Sequence, residues 1–184
     1  MNILLASTSP RRKQILTDAG FDVEILKTEV DESFPESLSV TEVPVFLAKK
    51  KMTEAVRHAP PEATILTADT IVVLNNEIIG KPIDEEDAKG ILRRLSGNMH
   101  EVISGVCIRK NGEVYTFDSI TRVFIHVLTE EEINFYISTY KPFDKAGAYA
   151  IQEWIGLNKI YKIEGDYYNV VGLPMSEVYR KLRG

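Results

Sequence analysis

Apolar and polar positions along this chain switch between a helical and a strand period, and the switches mark its elements. Ile3 to Ala6 is an apolar run that reads as a strand, and it ends in the polar turn Ser7-Thr8-Ser9. Pro10 fits the first position of a helix capped by Ser9, in which Ile15, Leu16 and Ala19 share a face and Gly20 supplies the stop. Phe21, Val23 and Ile25 return to alternation, a second strand that empties into the acidic loop Thr28 to Ser33. Thr41 is expected to cap a long helix ending near Ala59, with Pro44 tolerated in its first turn. Its apolar stripe is Pro44, Leu47, Ala48, Ala55 and Ala59, and Lys51 falls on that stripe.

Thr64 to Ala68 reads as a buried strand with Asp69-Thr70 at its C-terminal end, followed by a hairpin of Ile71 to Leu74 and Glu77 to Ile79 turning at Asn75-Asn76. Asp84 caps a helix from Glu85 to Leu95 with Ala88, Ile91, Leu92 and Leu95 as its stripe, and Ser96-Gly97 ends it. A longer hairpin joins His100–Arg109 to Glu113–Val127 through Asn111-Gly112. Thr129 with Glu132 forms a capping box for a helix to about Tyr140. A loop of charged, small and aromatic residues, Lys141 to Tyr149, comes next, then a last strand over Leu157–Ile163 and a terminal helix to Leu182. Trp154 is expected to pack in a core or between lobes.

Composition narrows this little. A chain of 184 residues with 44% hydrophobic and 27% charged content is an ordinary globular protein, most simply one domain over 1–184, with room for two lobes. The net charge of −5 argues against a general binder of nucleic-acid polymers, so a bound nucleotide would need a local basic cluster. A single cysteine, Cys107, excludes an internal disulfide and fits a reducing compartment. With no signal peptide and no membrane-spanning run in the pattern, a cytoplasmic location is expected. His58, His100 and His126 show no metal-ligand spacing and are read as structural or solvated.

Candidate chemistry begins at Arg11 and Arg12. Cations in the first turn of a helix oppose its dipole by ~0.3–1 kcal/mol each, yet the free N–H groups there attract anions, and a guanidinium pair suits a polyphosphate. Lys51 on an apolar stripe either snorkels to its edge or points toward a charged ligand. Lys81, in Gly80-Lys81-Pro82, and Lys145 complete a basic set; Glu32, Asp69 and Asp144 form an acidic one. Ligands in open α/β sheets gather outside the carboxyl ends of strands, which makes Asp69 a candidate catalytic group, with a turn-bordering aspartate as the plain alternative. One carboxylate of the acidic loop could hold a hard divalent cation, and the Gln152 amide could read a base edge or bind backbone. Together the sets suit phosphoanhydride hydrolysis; no P-loop motif is present.

Five blocks, taken in order, resemble the Maf family. They are Leu5-Ala6-Ser7-x-Ser9-Pro10-Arg11-Arg12; Ala68-Asp69-Thr70-Ile71-Val72 with Gly80-Lys81-Pro82; Leu95-Ser96-Gly97-x-x-His100-x-Val102; Asp144-Lys145-Ala146-Gly147-Ala148-Tyr149 with Ile151-Gln152; and Val170-Val171-Gly172-Leu173-Pro174. The resemblance implies an α/β fold with a mixed twisted sheet and flanking helices. It also implies an elongated, two-lobed molecule with a central cleft, similar to the inosine triphosphate pyrophosphatases, and often a homodimer. The implied activity is a metal-dependent nucleoside triphosphate pyrophosphatase releasing the monophosphate and pyrophosphate; the ion expected is Mg²⁺ or Mn²⁺, held by Glu32 and Asp69.

Residue by residue, the resemblance makes Asp69 the proton acceptor and assigns Glu32, Lys51 and Lys81 to the catalytic set. Ser7, Arg11, Arg12, Thr70, Lys145 and Gln152 are assigned to substrate, with Arg11, Thr70 and Gln152 at positions associated with substrate choice. The Asp-Lys-Ala-Gly-Ala-Tyr block resembles the branch acting on dTTP and UTP; a sibling branch preferring 7-methylated GTP differs at the lysine held here by Lys145. Met52 and Glu153-Trp154 depart from the family pattern, the latter at the rim of the expected base pocket. Two other readings compete: a nucleotide-sensing regulator of division or septum formation without turnover, and a house-cleaning enzyme for modified pyrimidine triphosphates.

Overall fold

The pattern resolves into seven strands and seven α-helices in the computed structural model, which describes residues 1–184. Strand β1 (Asn2–Leu5) pairs in parallel with β2 (Asp22–Ile25), Asn2 opposite Asp22 and Leu5 opposite Ile25, and helix α1 (Pro10–Asp18) makes the crossover. On its other side β1 pairs in parallel with β3 (Ile65–Leu74), Leu4 opposite Ile65 and Leu5 opposite Leu66. The remaining strands are β4 (Glu77–Ile79), β5 (Met99–Lys110), β6 (Glu113–Ile125) and β7 (Ile160–Glu164). The sheet order is β2-β1-β3-β5-β6-β7 with β4 on β3, and β4 and β7 pair antiparallel, so the sheet is mixed as expected.

The chain divides into two compact units, one of Met1–Thr70, Ile103–Ser119 and Gly172–Gly184, the other of Ile71–Val102 and Ile120–Val171. In the first unit, helix α2 (Val43–His58) packs Ala48, Met52 and Ala55 into a core with Ala6, Ile65 and Cys107. Two contacts set where that helix lies. Gly105 leaves room for the first turn of α2, because a Cβ there would come within 2.2 Å of the Pro44 backbone. The buried Thr67 hydroxyl donates to the Ala48 carbonyl at 2.7 Å, tying β3 to the turn of α2 that precedes Lys51. Helix α7 (Met175–Arg183) completes this unit, burying Met175, Val178 and Leu182.

The second unit holds α3 (Glu85–Leu95), α4 (Glu130–Tyr140), α5 (Trp154–Asn158) and α6 (Tyr167–Val171), with α3 against α4. Its caps form as the sequence requires. Asp84 accepts from the Asp87 N–H at 2.8 Å, and Thr129 and Glu132 make the reciprocal capping box. The loop after α4 closes in a short 3₁₀ turn, Ala146–Ala148, where Gly147 has φ 74° and donates to the Gly80 carbonyl at 3.0 Å. The residue before Lys81 is thereby stitched to the loop that carries Lys145.

Several expectations are corrected. Helix α2 starts at Val43, and Thr41 does not cap it; Ser39 and Glu42 instead close a turn of their own, Oγ to Oε2 at 2.6 Å. β3 does not stop at Ala68 but runs unbroken to Leu74, so Asp69 lies in mid-strand. β7 begins at Ile160 rather than Leu157, which belongs to α5 and is exposed. Gly156 makes this turn possible, since a Cβ on it would overlap the Ile151 carbonyl at 1.6 Å. The short helix α6 was not expected.

Candidate active site

Asp69 is half-buried in the middle of β3. Every residue of β3 is buried except Asp69, Thr70 and no others, a polar interruption in a strand otherwise covered on both faces. The pairing of β1 with β3 ends with Leu5 opposite Leu66, so Asp69 lies beyond the C-terminal end of β1. The rule that ligands gather outside carboxyl ends therefore applies to β1, from which the Ser7-Thr8-Ser9 turn also departs.

Lys51 is the residue that Asp69 meets. Its Nζ lies 2.7 Å from Asp69 Oδ1 and 2.8 Å from Glu32 Oε1. Lys51 is thus paired with two carboxylates of the protein, an arrangement that neither sequence reading of it named. Asp69 Oδ2 accepts no hydrogen bond. Glu32 and Asp69 thus converge on one point where a cation already sits. Nowhere do three or more His, Cys, Asp or Glu side chains converge, so any ion here would have two carboxylates, with water and phosphate oxygens as the other ligands. That donor set fits Mg²⁺ or Mn²⁺, which take oxygen ligands and keep several from water or substrate.

At the turn after β1, the Ser9 hydroxyl caps α1 by accepting from the Arg12 N–H at 3.4 Å, and Ser7 Oγ accepts from the Ser9 N–H at 3.2 Å. Sequence reasoning treated Arg11 and Arg12 as a pair of phosphate ligands; the structure separates them. Arg11 is half-buried, whereas Arg12 is buried and turned inward. The Arg12 guanidinium donates through Nε to the Gly172 carbonyl at 2.9 Å, through one terminal nitrogen to Ser7 Oγ at 3.1 Å and the Ala68 carbonyl at 2.9 Å, and through the other to Thr70 Oγ1 at 3.0 Å. Burial pulls its pKa below the ordinary value, against the opposing pull of Asp69. Thr70 Oγ1 also contacts Ser104 Oγ at 2.8 Å and donates to the Gly172 carbonyl at 3.2 Å. Ser104 was missed from sequence; the available signal was a lone hydroxyl in the apolar run Val102 to Ile108.

The second unit holds Lys81, Lys145 and Gln152. Lys81 and Gln152 are exposed and make no side-chain hydrogen bond or ion pair. Lys145 is buried, 2.8 Å from Asp144 Oδ1 and 3.5 Å from Glu153 Oε1. Glu153 also accepts from the hydroxyl of the buried Tyr136, which in turn accepts from the Ala150 N–H at 3.0 Å. Burial, reinforced by Glu153, pushes the Tyr136 hydroxyl well above its usual range and keeps it a donor. Glu153, singled out only as a departure from a family pattern, therefore links Tyr136 to Lys145, whose shorter contact is with Asp144. Trp154 packs edge-to-face on Phe135. His100 is buried against the Tyr149 hydroxyl at 2.7 Å, so its structural reading stands. Cys107 is buried and its pKa is raised by burial, which suits an inert thiol.

Comparison with known proteins places these residues in context. The sequence model of the family described as Maf-like protein matches residues 2–184. A dTTP/UTP pyrophosphatase of Cytophaga hutchinsonii is 50% identical over 181 residues, 98% of this chain and 83% of that protein. A dTTP/UTP pyrophosphatase of Bacteroides fragilis is 44% identical over 183 residues, 98% of this chain and 94% of that protein. Among solved structures, the Staphylococcus aureus Ham1 protein aligns with a TM-score of 0.46 at 19% identity, covering 68% of this chain and 72% of that one.

Proposed function

The chain belongs to the Maf family, and from that premise we propose that it hydrolyses dTTP and UTP to the nucleoside monophosphate and pyrophosphate. The observation that carries the reading in the structure is Asp69, a carboxylate held by Lys51 on one oxygen with the other oxygen available. In the reaction, a water oxygen bonds to the α-phosphorus, the bridging bond from the α-phosphorus to the β-phosphate oxygen breaks, and pyrophosphate leaves. Asp69 Oδ2 accepts the water proton as the bond forms. Arg11 and Lys51 neutralise charge on the phosphates, where a cation in a shielded site contributes a few kcal/mol to the transition state. Glu32 and Asp69 are the residues that would hold a divalent ion, which when bound would draw charge from the phosphate oxygens.

In the second unit, Lys81 is assigned as a further phosphate cation, and Lys145 with Gln152 as readers of the pyrimidine; the branch-specific lysine at Lys145 supports this. No helix of the chain is long and apolar enough to cross a membrane, and a cytoplasmic enzyme, homodimeric and independent of nucleic-acid polymers, is part of the proposal. The reading as a sensor without turnover is disfavoured because binding alone does not require a carboxylate with an available oxygen beside a lysine. Modified pyrimidine triphosphates stay within the substrate proposal.

Pyrophosphate release measured across standard and modified nucleoside triphosphates, with Mg²⁺ and with a chelator, tests the reading. Turnover of dTTP and UTP that the chelator abolishes is expected. Absence of turnover with every triphosphate would favour the sensor, and turnover unaffected by chelation would remove the ion from the proposal.

A further inference from the structure

We infer that Arg12 is a positioning residue for Asp69 and not a ligand of the phosphates, and that Thr70 acts through it. The inference rests on the reading of Asp69 as the proton acceptor. Arg12 grips the strand on both sides of that residue, at the Ala68 carbonyl and at Thr70 Oγ1. Its remaining bonds reach the turn after β1 at Ser7 and the segment before α7 at Gly172. A guanidinium has five N–H donors, and four of these point into the protein. The group is buried, so aiming it at a phosphate would break its bond to the Ala68 carbonyl and leave the Gly172 carbonyl to Thr70 Oγ1 alone, which is costly for buried groups.

Thr70 completes the logic. Its hydroxyl accepts from Arg12, has Ser104 Oγ at 2.8 Å and donates to the Gly172 carbonyl. With Ser104 as donor, both lone pairs and the proton of Thr70 are engaged within the protein. A side chain so engaged has nothing left to offer a nucleotide. Substitution at Thr70 changes the reaction by loosening Arg12 and, with it, the strand residue between Ala68 and Thr70. The planar fork of arginine supplies this bracket; the single ammonium of lysine cannot reach all four acceptors.

The test is steady-state hydrolysis of dTTP, with pyrophosphate as competing product, by the wild-type protein, Arg12→Lys, Asp69→Asn and the Arg12→Lys/Asp69→Asn double variant. Misplacing a catalytic group by about 1 Å costs about 10²-fold, so kcat of Arg12→Lys should fall by roughly that factor. Its KM and the inhibition constant of pyrophosphate should stay within about threefold, and the double variant should be no slower than Asp69→Asn alone, since two changes acting on one group are not additive. A phosphate ligand behaves otherwise: KM and the pyrophosphate constant would rise together, the charge-conserving lysine would retain most of kcat, and the double variant would lose further activity. Any of these overturns the inference. Should Arg12→Lys not fold, Thr70→Val removes one of the bonds and is judged by the same division between kcat and KM. A wild-type protein inert toward dTTP would instead sink the underlying reading.

Discussion

Lys51 in the first unit, half-buried, and Lys145 in the second, buried, each lie between two carboxylates, one exposed and one shielded. Glu32 and Asp69 flank Lys51 with side-chain exposures of 62% and 13%, and Asp144 and Glu153 flank Lys145 with 63% and 23%. By charge and burial the two triads are nearly the same. They differ in the shielded carboxylate. Both oxygens of Glu153 are engaged, one by the Tyr136 hydroxyl and one by Lys145. Asp69 gives one oxygen to Lys51 and keeps the other. A carboxylate contacted by protein groups on both oxygens fixes a loop, whereas one with an uncontacted oxygen can take a proton from water. The distinction lies in which carboxylate oxygens the protein contacts and not in charge, which is why a sequence pattern treats the two sets alike.

The largest effect expected is at Asp69. Asp69→Asn keeps the shape and removes the base, and should lower kcat for dTTP by about 10³-fold, within the range for a general base, with the far-ultraviolet circular dichroism unchanged. Lys51→Met should follow at about 10²-fold in kcat/KM, because it removes a phosphate cation and leaves Glu32 and Asp69 facing each other. Lys145→Met, by contrast, should act chiefly on KM and on the preference for dTTP over 7-methylated GTP. An equal loss of kcat in both lysine variants would erase the contrast between the triads.

The second unit should reveal its ionisable groups through stability. Burial holds the His100 imidazole down at about 4, against an ordinary 6.5. Between those values the unfolded chain takes up a proton and the folded chain does not, so the contribution is full above 6.5 and is lost as pH falls toward 4. From pH 7 to pH 5 this single group should remove about 2 kcal/mol of unfolding free energy, readable by urea titration, and His100→Phe should flatten the slope by that amount. The smallest change is expected for Glu153→Gln, whose amide still accepts from Tyr136. Its kcat should stay within about threefold, with a stability loss of roughly 1 kcal/mol from the weakened bond.

What the sequence revealed and what it hid follow the range of the interactions. Ser9, Asp84 and the Thr129–Glu132 box were legible because a cap is settled within four residues, and the Asn75-Asn76 and Asn111-Gly112 turns because both residues of each adopt positive φ. The unbroken course of β3 was not legible. Asp69-Thr70 looks like a break in an apolar run, yet strand pairing is a backbone property, and the Thr70 side chain is accommodated by Ser104 and Arg12 from distant segments. Helix α5 was hidden for a similar reason, since it depends on Gly156 closing onto Ile151. Within the site, the Lys51 position on the α2 stripe left its direction open, and the structure supplies its partners, Glu32 and Asp69. The inward turn of Arg12 could not be read, because its partners lie at Ala68, Thr70 and Gly172.

The contrast between the two carboxylates, and the direction of water attack with it, is tested most directly by dTTP hydrolysis in H₂¹⁸O under identical conditions for wild type, Asp69→Asn and Glu153→Gln. The account predicts ¹⁸O in the monophosphate and none in pyrophosphate, at near wild-type rate for Glu153→Gln and about 10³-fold slower for Asp69→Asn. Label in pyrophosphate, or an Asp69→Asn protein as fast as Glu153→Gln, would contradict it.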